Sequence, residues 1–418
     1  MSEQLTKEVA RRIIEIVGGP GEPPPYGFQF FSAGLEPYLR TVDEEYLESY
    51  VRDGGSAFKM IVGEYGGGKT HFLYSVQELA WKSNFVVSYV TLSPQHTPFH
   101  KLEMVYQAIV GSLAYPQSPE ELLSGYERGI SALLQAWFAD KCAELERDGL
   151  SGDELRQELA TYPSSLPTFD SISFSRAVKN AFSALVKNED RDFENIVQWL
   201  SGEGYIRPVH SPFGILQRID KATAFSMIRS LVQWIRSIGY SGLVVLMDEG
   251  ERSSSLSSKQ RDLLLNNLRE LIDECGHAHF QNSFFVYAVP DENFLEGRAQ
   301  IYEALKQRLA TIFEIPNPAG VKIYLDRIWN DPVQHLREIG RNLAGIYDRA
   351  YDVDLQDLGA ERIVDQVAAA AYEQRFGAEG YKRFFVQHMV RAFGLLRHGQ
   401  PVTAEALGLE EFGEAAVD

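Results

Sequence analysis

Cysteine is nearly absent from this sequence, which has 418 residues and only two cysteines, Cys142 and Cys275. Neither stands at a metal-ligand or redox spacing, so a disulfide framework is excluded and a reduced, cytoplasmic setting is the simplest interpretation. His277 and His279 follow Cys275 closely. That cluster lacks a fourth ligand nearby and lies in a predicted helix-to-strand turn, which disfavours a metal site there.

Long apolar runs and excess positive charge are also missing. No apolar run approaches the roughly 20 residues that span a bilayer, so we expect no membrane partner. The first residues, MSEQLTKEVARRIIEIV, are charged and amphipathic, which does not fit a signal peptide. The net charge of −18 argues against charge-driven binding of nucleic acid over the whole surface, although it does not exclude a local basic patch.

The sequence does contain a clear strand, loop, helix and strand in succession. AFKMIV (57–62) is a short β-rich run, and a glycine loop follows it directly. HFLYSVQELAWK (71–82) carries a helical apolar stripe, and FVVSYVTL (85–92) is a second strand. This order predicts a βαβ unit.

Helices dominate the rest of the chain. The stretch 97–238 is predicted to be almost wholly helical, and strong strands follow at 242–251 and 282–290. Further elements are predicted by the same periodicity: a helix at 259–275, a helix with a short strand after it over 301–318, and helices at roughly 322–350, 357–376 and 380–397.

The glycine loop GEYGGGKT (63–70) fits the phosphate-binding pattern G-x-x-x-x-G-K-[ST] in full. Glycines let the backbone N–H groups point inward around a phosphate, and the next helix adds its positive N-terminal end. Lys69 is expected to neutralise the β- and γ-phosphates and the Thr70 hydroxyl to ligate Mg²⁺. Helix packing explains His71 as well as a nucleotide contact does. The predicted nucleotide-binding residues of this stretch are Gly63, Gly66, Gly67, Gly68, Lys69, Thr70 and His71.

The buried-type strand LVVLMDEGE ends in Asp248 and Glu249. Such a strand points its C-terminal carboxylates into the crevice where phosphates lie. We expect Asp248 to hold Mg²⁺ through water and Glu249 to polarise the attacking water. Alone this pattern is weak, but the glycine loop earlier in the chain strengthens it.

The next strand, FFVYAVP, ends at Pro290. Ring-forming ATPases carry a polar side chain at the tip of this strand to orient the water, and proline has none. Asp291 or Asn293 is a possible substitute, and a plain strand-to-loop turn is an equally good interpretation.

Two arginines are candidates for contacts with the γ-phosphate. Arg308 ends a predicted helix just before a short strand, where such ATPases place an arginine finger for a neighbouring subunit. Arg383 lies near the start of a late amphipathic helix, from which a lid supplies a second arginine. Lys382 and Arg391 compete with it for that role, and a solvated basic face explains all three as well.

The run FKMIVGEYGGGKTHFL, the upstream PPPYGFQFFSAGLE and the later GYSGLVVLMDEGE resemble the ATP-binding proteins of bacteriophage-exclusion (BREX) systems, BrxD-like group. These are similar to AAA+ ATPases of the origin-recognition type, and the resemblance covers about residues 8–397. It implies Lys69 and Thr70 for phosphate and Mg²⁺, Asp248 and Glu249 for metal and water, and Arg308 as the finger. It also implies anti-phage defence, with double-stranded DNA and other defence proteins as partners.

The sequence thus predicts an α/β fold: a three-layer P-loop AAA+ core with a mostly parallel sheet, a large helical insertion and a C-terminal helical lid. The expected division is an N-terminal helix with a Pro/Gly-rich lead-in segment (1–54), a core (55–316) with its insertion at about 112–212, and a helical lid (317–418). The aromatic stretch 26–31 is expected either to line an adenine pocket or simply to pack in the core.

Two functions are compatible with this sequence. One is a Mg-ATP-hydrolysing, oligomeric, DNA-associated component of a defence system, with ATP and ADP as ligands. The other is a slow nucleotide-dependent switch that controls a partner effector without handling DNA, which the missing polar residue at Pro290 and the acidic surface favour. A small-molecule kinase is a third class, but no residue set for an acceptor pocket is apparent.

Overall fold

The structure is a computed structural model that describes residues 5–19, 27–118, 121, 125, 127–249, 256–291, 300–329, 331–373 and 380–409. Within those ranges no helix is both long and apolar enough to cross a membrane.

A six-stranded sheet forms the centre of the described chain. Its strands are β1 (Ser56–Val62), β2 (Val86–Leu92), β3 (Leu113–Ala114), β4 (Leu243–Glu249), β5 (Ser283–Val289) and β6 (Lys322–Tyr324). Their order across the sheet is β3-β2-β4-β5-β1-β6. All neighbouring strands are parallel except the pair β2 and β3. The carboxyl ends of the parallel strands therefore meet at one edge, where ligands bind in open α/β sheets.

Helices cover both faces of the sheet, which is why β1 and β5 are buried along their whole lengths. On one face, α2 (Glu36–Val42), its π-helical continuation Asp43–Tyr50, and α3 (Lys69–Lys82) pack on residues such as Ile61 of β1. On the other face, Met60 belongs to a larger core to which most of the helices between β2 and β5 contribute. These helices are α4 (Leu102–Gly111), α5 (Ile130–Arg147), α6 (Gly152–Ser165), α7 (Ile172–Lys187), α8 (Asp190–Leu200), α9 (Arg207–His210), α10 (Ala224–Ser237) and α11 (Ser258–Gly276).

A second helical body has its own core. The N-terminal helix α1 (Lys7–Gly18) buries its apolar stripe, which includes Ile13 and Ile14, against the helices at the other end of the chain. Helix α12 (Gln300–Arg308) is followed by α13 (Pro332–Tyr351), α14 (Ala360–Glu373), α15 (Tyr381–Arg397) and α16 (Ala404–Leu407). We call the last four, α13 to α16, the lid helices.

The α/β fold with one mostly parallel sheet and extensive helical parts is confirmed. The helix predicted over 322–350 is wrong at its start: Lys322–Tyr324 pairs with β1 as an edge strand, and the helix begins at Pro332. The short strand predicted within 301–318 is not there either, since that stretch contains only the isolated bridge residues Ile312, Glu314 and Asn317 after α12. The first error arose because a three-residue strand is too short to show a period of two.

Candidate functional site

The glycine loop links β1 to α3 at the carboxyl edge of the sheet. Gly66 and Gly68 have φ of 72° and 98°, a left-handed conformation that favours glycine. Lys69 is the first residue of α3 and is only 8% exposed. Its Nζ donates to the carbonyls of Gly63 at 2.8 Å and Glu64 at 2.9 Å. Burial lowers the pKa of Lys69, an effect that Asp248 and other carboxylates partly oppose.

The first turn of α3 also reaches the end of β4. Thr70 Oγ1 donates to Asp248 Oδ2 at 2.8 Å, and the Tyr89 hydroxyl of β2 donates to the same oxygen at 2.7 Å. The threonine and the aspartate lie 178 residues apart in the chain. A hydroxyl beside a carboxylate at the start of a helix is a set of hard oxygen donors, the type that Mg²⁺ prefers. These residues therefore fit a magnesium ion.

Glu249 has a different partner. The Tyr287 hydroxyl of β5 donates to Glu249 Oε2 at 3.0 Å. Tyr287 is completely buried, and burial raises its pKa well above the ordinary value, with the charge of Glu249 as a further cause. The phenol is therefore protonated and acts as a donor to the carboxylate.

A cavity of about 400 Å³ joins these elements. Its walls come from the glycine loop, the end of β4, the segment before α2 and the lid helices. Most of the predicted site residues line it, namely Gly66, Gly68, Lys69, Thr70, His71, Asp248, Glu249 and Arg383. Gly63 and Gly67 belong to the same loop, where their carbonyls accept hydrogen bonds from lysine side chains.

The lid helix α15 contacts the glycine loop directly through Lys382. Its Nζ donates to the Gly67 carbonyl at 3.0 Å and lies 3.6 Å from the centre of the Trp329 ring. Lys382 is 7% exposed, and burial lowers its pKa to about 7. Arg383 instead donates to the Tyr65 hydroxyl at 3.0 Å. Both side chains line the cavity and both contact the glycine loop, but Lys382 bonds to its backbone and Arg383 to a side chain.

His71 connects the loop to the segment before α2. Its Nε2 lies 2.5 Å from Ser32 Oγ, and its ring meets Phe28 and Phe31 edge-on, with 5.4 Å between centroids in each pair. Burial, together with the nearby Lys382, lowers the pKa of His71 to about 4. Of the aromatic stretch 26–31, Phe31 lines the cavity. The described part of that stretch therefore serves both packing and the cavity wall.

Other candidates lie elsewhere. Arg308 is not among the residues lining the cavity; it makes an ion pair with Asp273 of α11, including Nη2 to Oδ2 at 2.9 Å. Arg391 is exposed and lines a different groove. Asp291 is exposed and does not line the cavity, and Asn293 lies outside the described residues.

Sequence reasoning missed Tyr89 and Tyr287 as partners of the acidic residues. Each lies inside an apolar strand, where the pattern predicts a tyrosine to be an ordinary core residue. The available signal was weaker than a motif: a phenol near the end of a buried strand needs a hydrogen-bond partner.

Comparison with known families agrees with this geometry. Residues 5–406 match the family model described as BREX system ATP-binding protein BrxC/D. Neither the curated proteins nor the solved structures contain a significant match to the chain. Because the match covers nearly the whole chain, this protein belongs to the family of BREX system ATP-binding proteins BrxC/D.

Proposed function

We propose that this chain binds Mg-ATP in the cavity at the carboxyl edge of the sheet and hydrolyses it, as an oligomeric component of BREX defence. The observation that carries the proposal is the junction of Thr70 and Asp248, with 2.8 Å between Oγ1 and Oδ2. It brings the phosphate loop and the acidic strand end to one cavity, and Glu249 lines the same cavity.

Each residue has a defined role in this proposal. Lys69 would release the carbonyls of Gly63 and Glu64 and pair with phosphate oxygens instead. Thr70 and Asp248 would hold Mg²⁺, which would neutralise negative charge on the phosphates. Glu249 would accept a proton from water as the water oxygen bonds to the γ-phosphorus. The bond from that phosphorus to the bridging oxygen breaks, which leaves ADP and phosphate.

The lid is expected to respond through Lys382. Because its Nζ bonds to Gly67, the lid helix α15 is attached to the loop that would hold the phosphates. A γ-phosphate would offer this ammonium a charged partner in place of a carbonyl, which strengthens the attachment. Loss of that phosphate would weaken it, and the lid would then change its angle to the core.

Arg308 is proposed to act on a neighbouring subunit. It lies at the end of α12, away from its own chain's cavity, and is held by Asp273. A finger in trans makes hydrolysis depend on assembly. Mixing Arg308→Ala with Glu249→Gln tests this, because a hybrid interface contains one intact site and one intact finger. Recovered hydrolysis supports the trans arrangement, and a mixture as inactive as its components contradicts it.

The proposed DNA association is supported by the family's place in an anti-phage system. The decisive experiment measures ATP binding and steady-state hydrolysis with and without double-stranded DNA. Lys69→Ala should abolish nucleotide binding, and Glu249→Gln should retain binding but lose hydrolysis, including any stimulation by DNA. Unchanged nucleotide binding by Lys69→Ala would refute the whole proposal.

A slow signalling switch is the second candidate. Two observations favour it: the strand tip is Pro290, and Arg308 is already engaged by Asp273. This candidate predicts tight nucleotide retention and a low rate that DNA does not change. Strong stimulation by DNA would exclude it.

A further inference from the structure

Two tyrosines flank the acidic end of β4, one on each neighbouring strand. Tyr89 of β2 donates to Asp248 and Tyr287 of β5 donates to Glu249. Successive side chains of a strand point to opposite faces. Asp248 therefore shares a face with Leu246 and the α3 side of the core, and Glu249 leaves β4 on the opposite face. Each carboxylate has its own phenol, and the two phenols are not interchangeable.

Tyr287 is held in place independently of Glu249. It is fully buried in the core between the sheet and the helices that lie between β2 and β5 in the chain. Its ring stacks on Phe99, with 5.6 Å between centroids and 16° between planes. A ring locked by packing gives its hydroxyl a defined position, which is the condition for orienting another side chain. The hydroxyl lies 3.0 Å from Glu249 Oε2.

The end of β5 lacks the polar side chain expected there, because its tip is Pro290. Tyr287 lies on the same strand, three positions earlier. We propose that Tyr287 supplies the missing polar group: its hydroxyl is a positioning residue that holds Glu249 in the orientation needed to take the proton from the attacking water. This inference rests on the hydrolysis proposed above.

The proposal separates the two tyrosines by their effects. Tyr287→Phe keeps the ring on Phe99 and removes the hydroxyl that donates to Glu249. It should lower kcat about 10-fold, the scale of losing a group that orients a reacting residue, with KM for ATP nearly unchanged. Tyr89→Phe removes a donor to Asp248 on the other face. It should instead change the Mg²⁺ concentration needed for half-maximal activity.

A double-mutant cycle identifies the route of the effect. If Tyr287 acts through Glu249, Tyr287→Phe should slow single-turnover hydrolysis in the wild-type background and have no further effect in Glu249→Gln. Rates should be normalised to the fraction of protein that binds a fluorescent ATP analogue, so that partial misfolding does not mimic a lower kcat.

The outcomes distinguish this inference from the function on which it rests. Wild-type protein that binds ATP but does not hydrolyse it would overturn both. Wild-type hydrolysis with Tyr287→Phe equally fast or faster would overturn the positioning role alone. Equal losses in Tyr287→Phe and Tyr89→Phe, with no change in Mg²⁺ dependence, would also overturn it, because they indicate a general effect on packing.

Discussion

ATP affinity should fall as the pH rises above 7, and Lys382 should be a principal reason. Its side chain is 7% exposed, and burial lowers its pKa from 10.5 to about 7. A phosphate beside the ammonium favours the charged form and raises the pKa. The bound state then holds more protons than the free state, so affinity is greatest where Lys382 is already protonated and decreases through higher pH.

The size of the effect follows from the two pKa values. With a pKa of about 7 in the free protein, and with bound phosphate keeping Lys382 protonated over this range, the dissociation constant scales with 1 + 10^(pH − 7). Between pH 7 and pH 9 this factor rises from about 2 to about 101, a weakening of roughly 50-fold or about 2.3 kcal/mol.

Isothermal titration of Mg-ATP at pH 7, 8 and 9 measures this directly, and buffers of different ionisation enthalpy report the proton taken up. Burial also lowers the pKa of Lys69, which adds to the slope. Lys382→Arg therefore serves as the matched control, because a guanidinium keeps its charge throughout this range. The variant should lose the Lys382 part of the slope. An identical slope in wild type and Lys382→Arg would refute the reasoning.

Two further predictions concern stability and lid contact. Lys59 on β1 is 3% exposed, donates to Tyr46 and to the carbonyls of Pro318 and Gly320, and has a pKa lowered by burial to about 7. Above that pH the unfolded chain binds more protons than the folded chain. The free energy of unfolding of wild type relative to Lys59→Met should therefore rise by about 2 kcal/mol between pH 7 and 9. Denaturant titrations that show a constant difference would contradict this. A Cβ at Gly66 would lie 2.4 Å from Gly380 Cα, whereas one at Gly68, which also has positive φ, would meet nothing within 4 Å. Gly66→Ala should therefore increase hydrogen exchange in α15 and Gly68→Ala should not; equal increases would assign the effect to backbone strain alone.

The sequence predicted the parts of the site that depend on local pattern. The glycine loop between a strand and a helix and the acidic pair at a strand end both carry their own signals, and the structure brings them to one cavity. The sequence could not show whether Lys382 or Arg383 bonds to the backbone of the glycine loop. Adjacent helix positions point about 100° apart, and only the packing of α15 on the loop determines which one faces Gly67.

The hydrogen-bond partners of Asp248 and Glu249 could not be predicted from the sequence either, for a different reason. Tyr89 and Tyr287 reach Asp248 and Glu249 across strand neighbours, and that adjacency depends on a sheet order in which β4 lies between β2 and β5. A periodic pattern places residues on a face but not beside a particular neighbour. The edge strand β6 was missed because three residues carry too little periodicity.

The body formed by α1 and the lid helices is joined to the sheet by two chain segments rather than one. One passes from Phe31, in the lid-side core, to Leu35 in the sheet-side core, and the other from Leu325 past Trp329 to Leu336. These segments touch: a Cβ on Gly34 would lie 2.4 Å from Trp329 Nε1. Two adjacent connections restrict the lid helices to rotation about a single axis, whereas a single linker would allow rotation about several axes. Rotation of the lid helices about that axis would move Lys382 toward or away from the glycine loop and would allow little motion in other directions. Closure would therefore lose little entropy in orienting the lid helices.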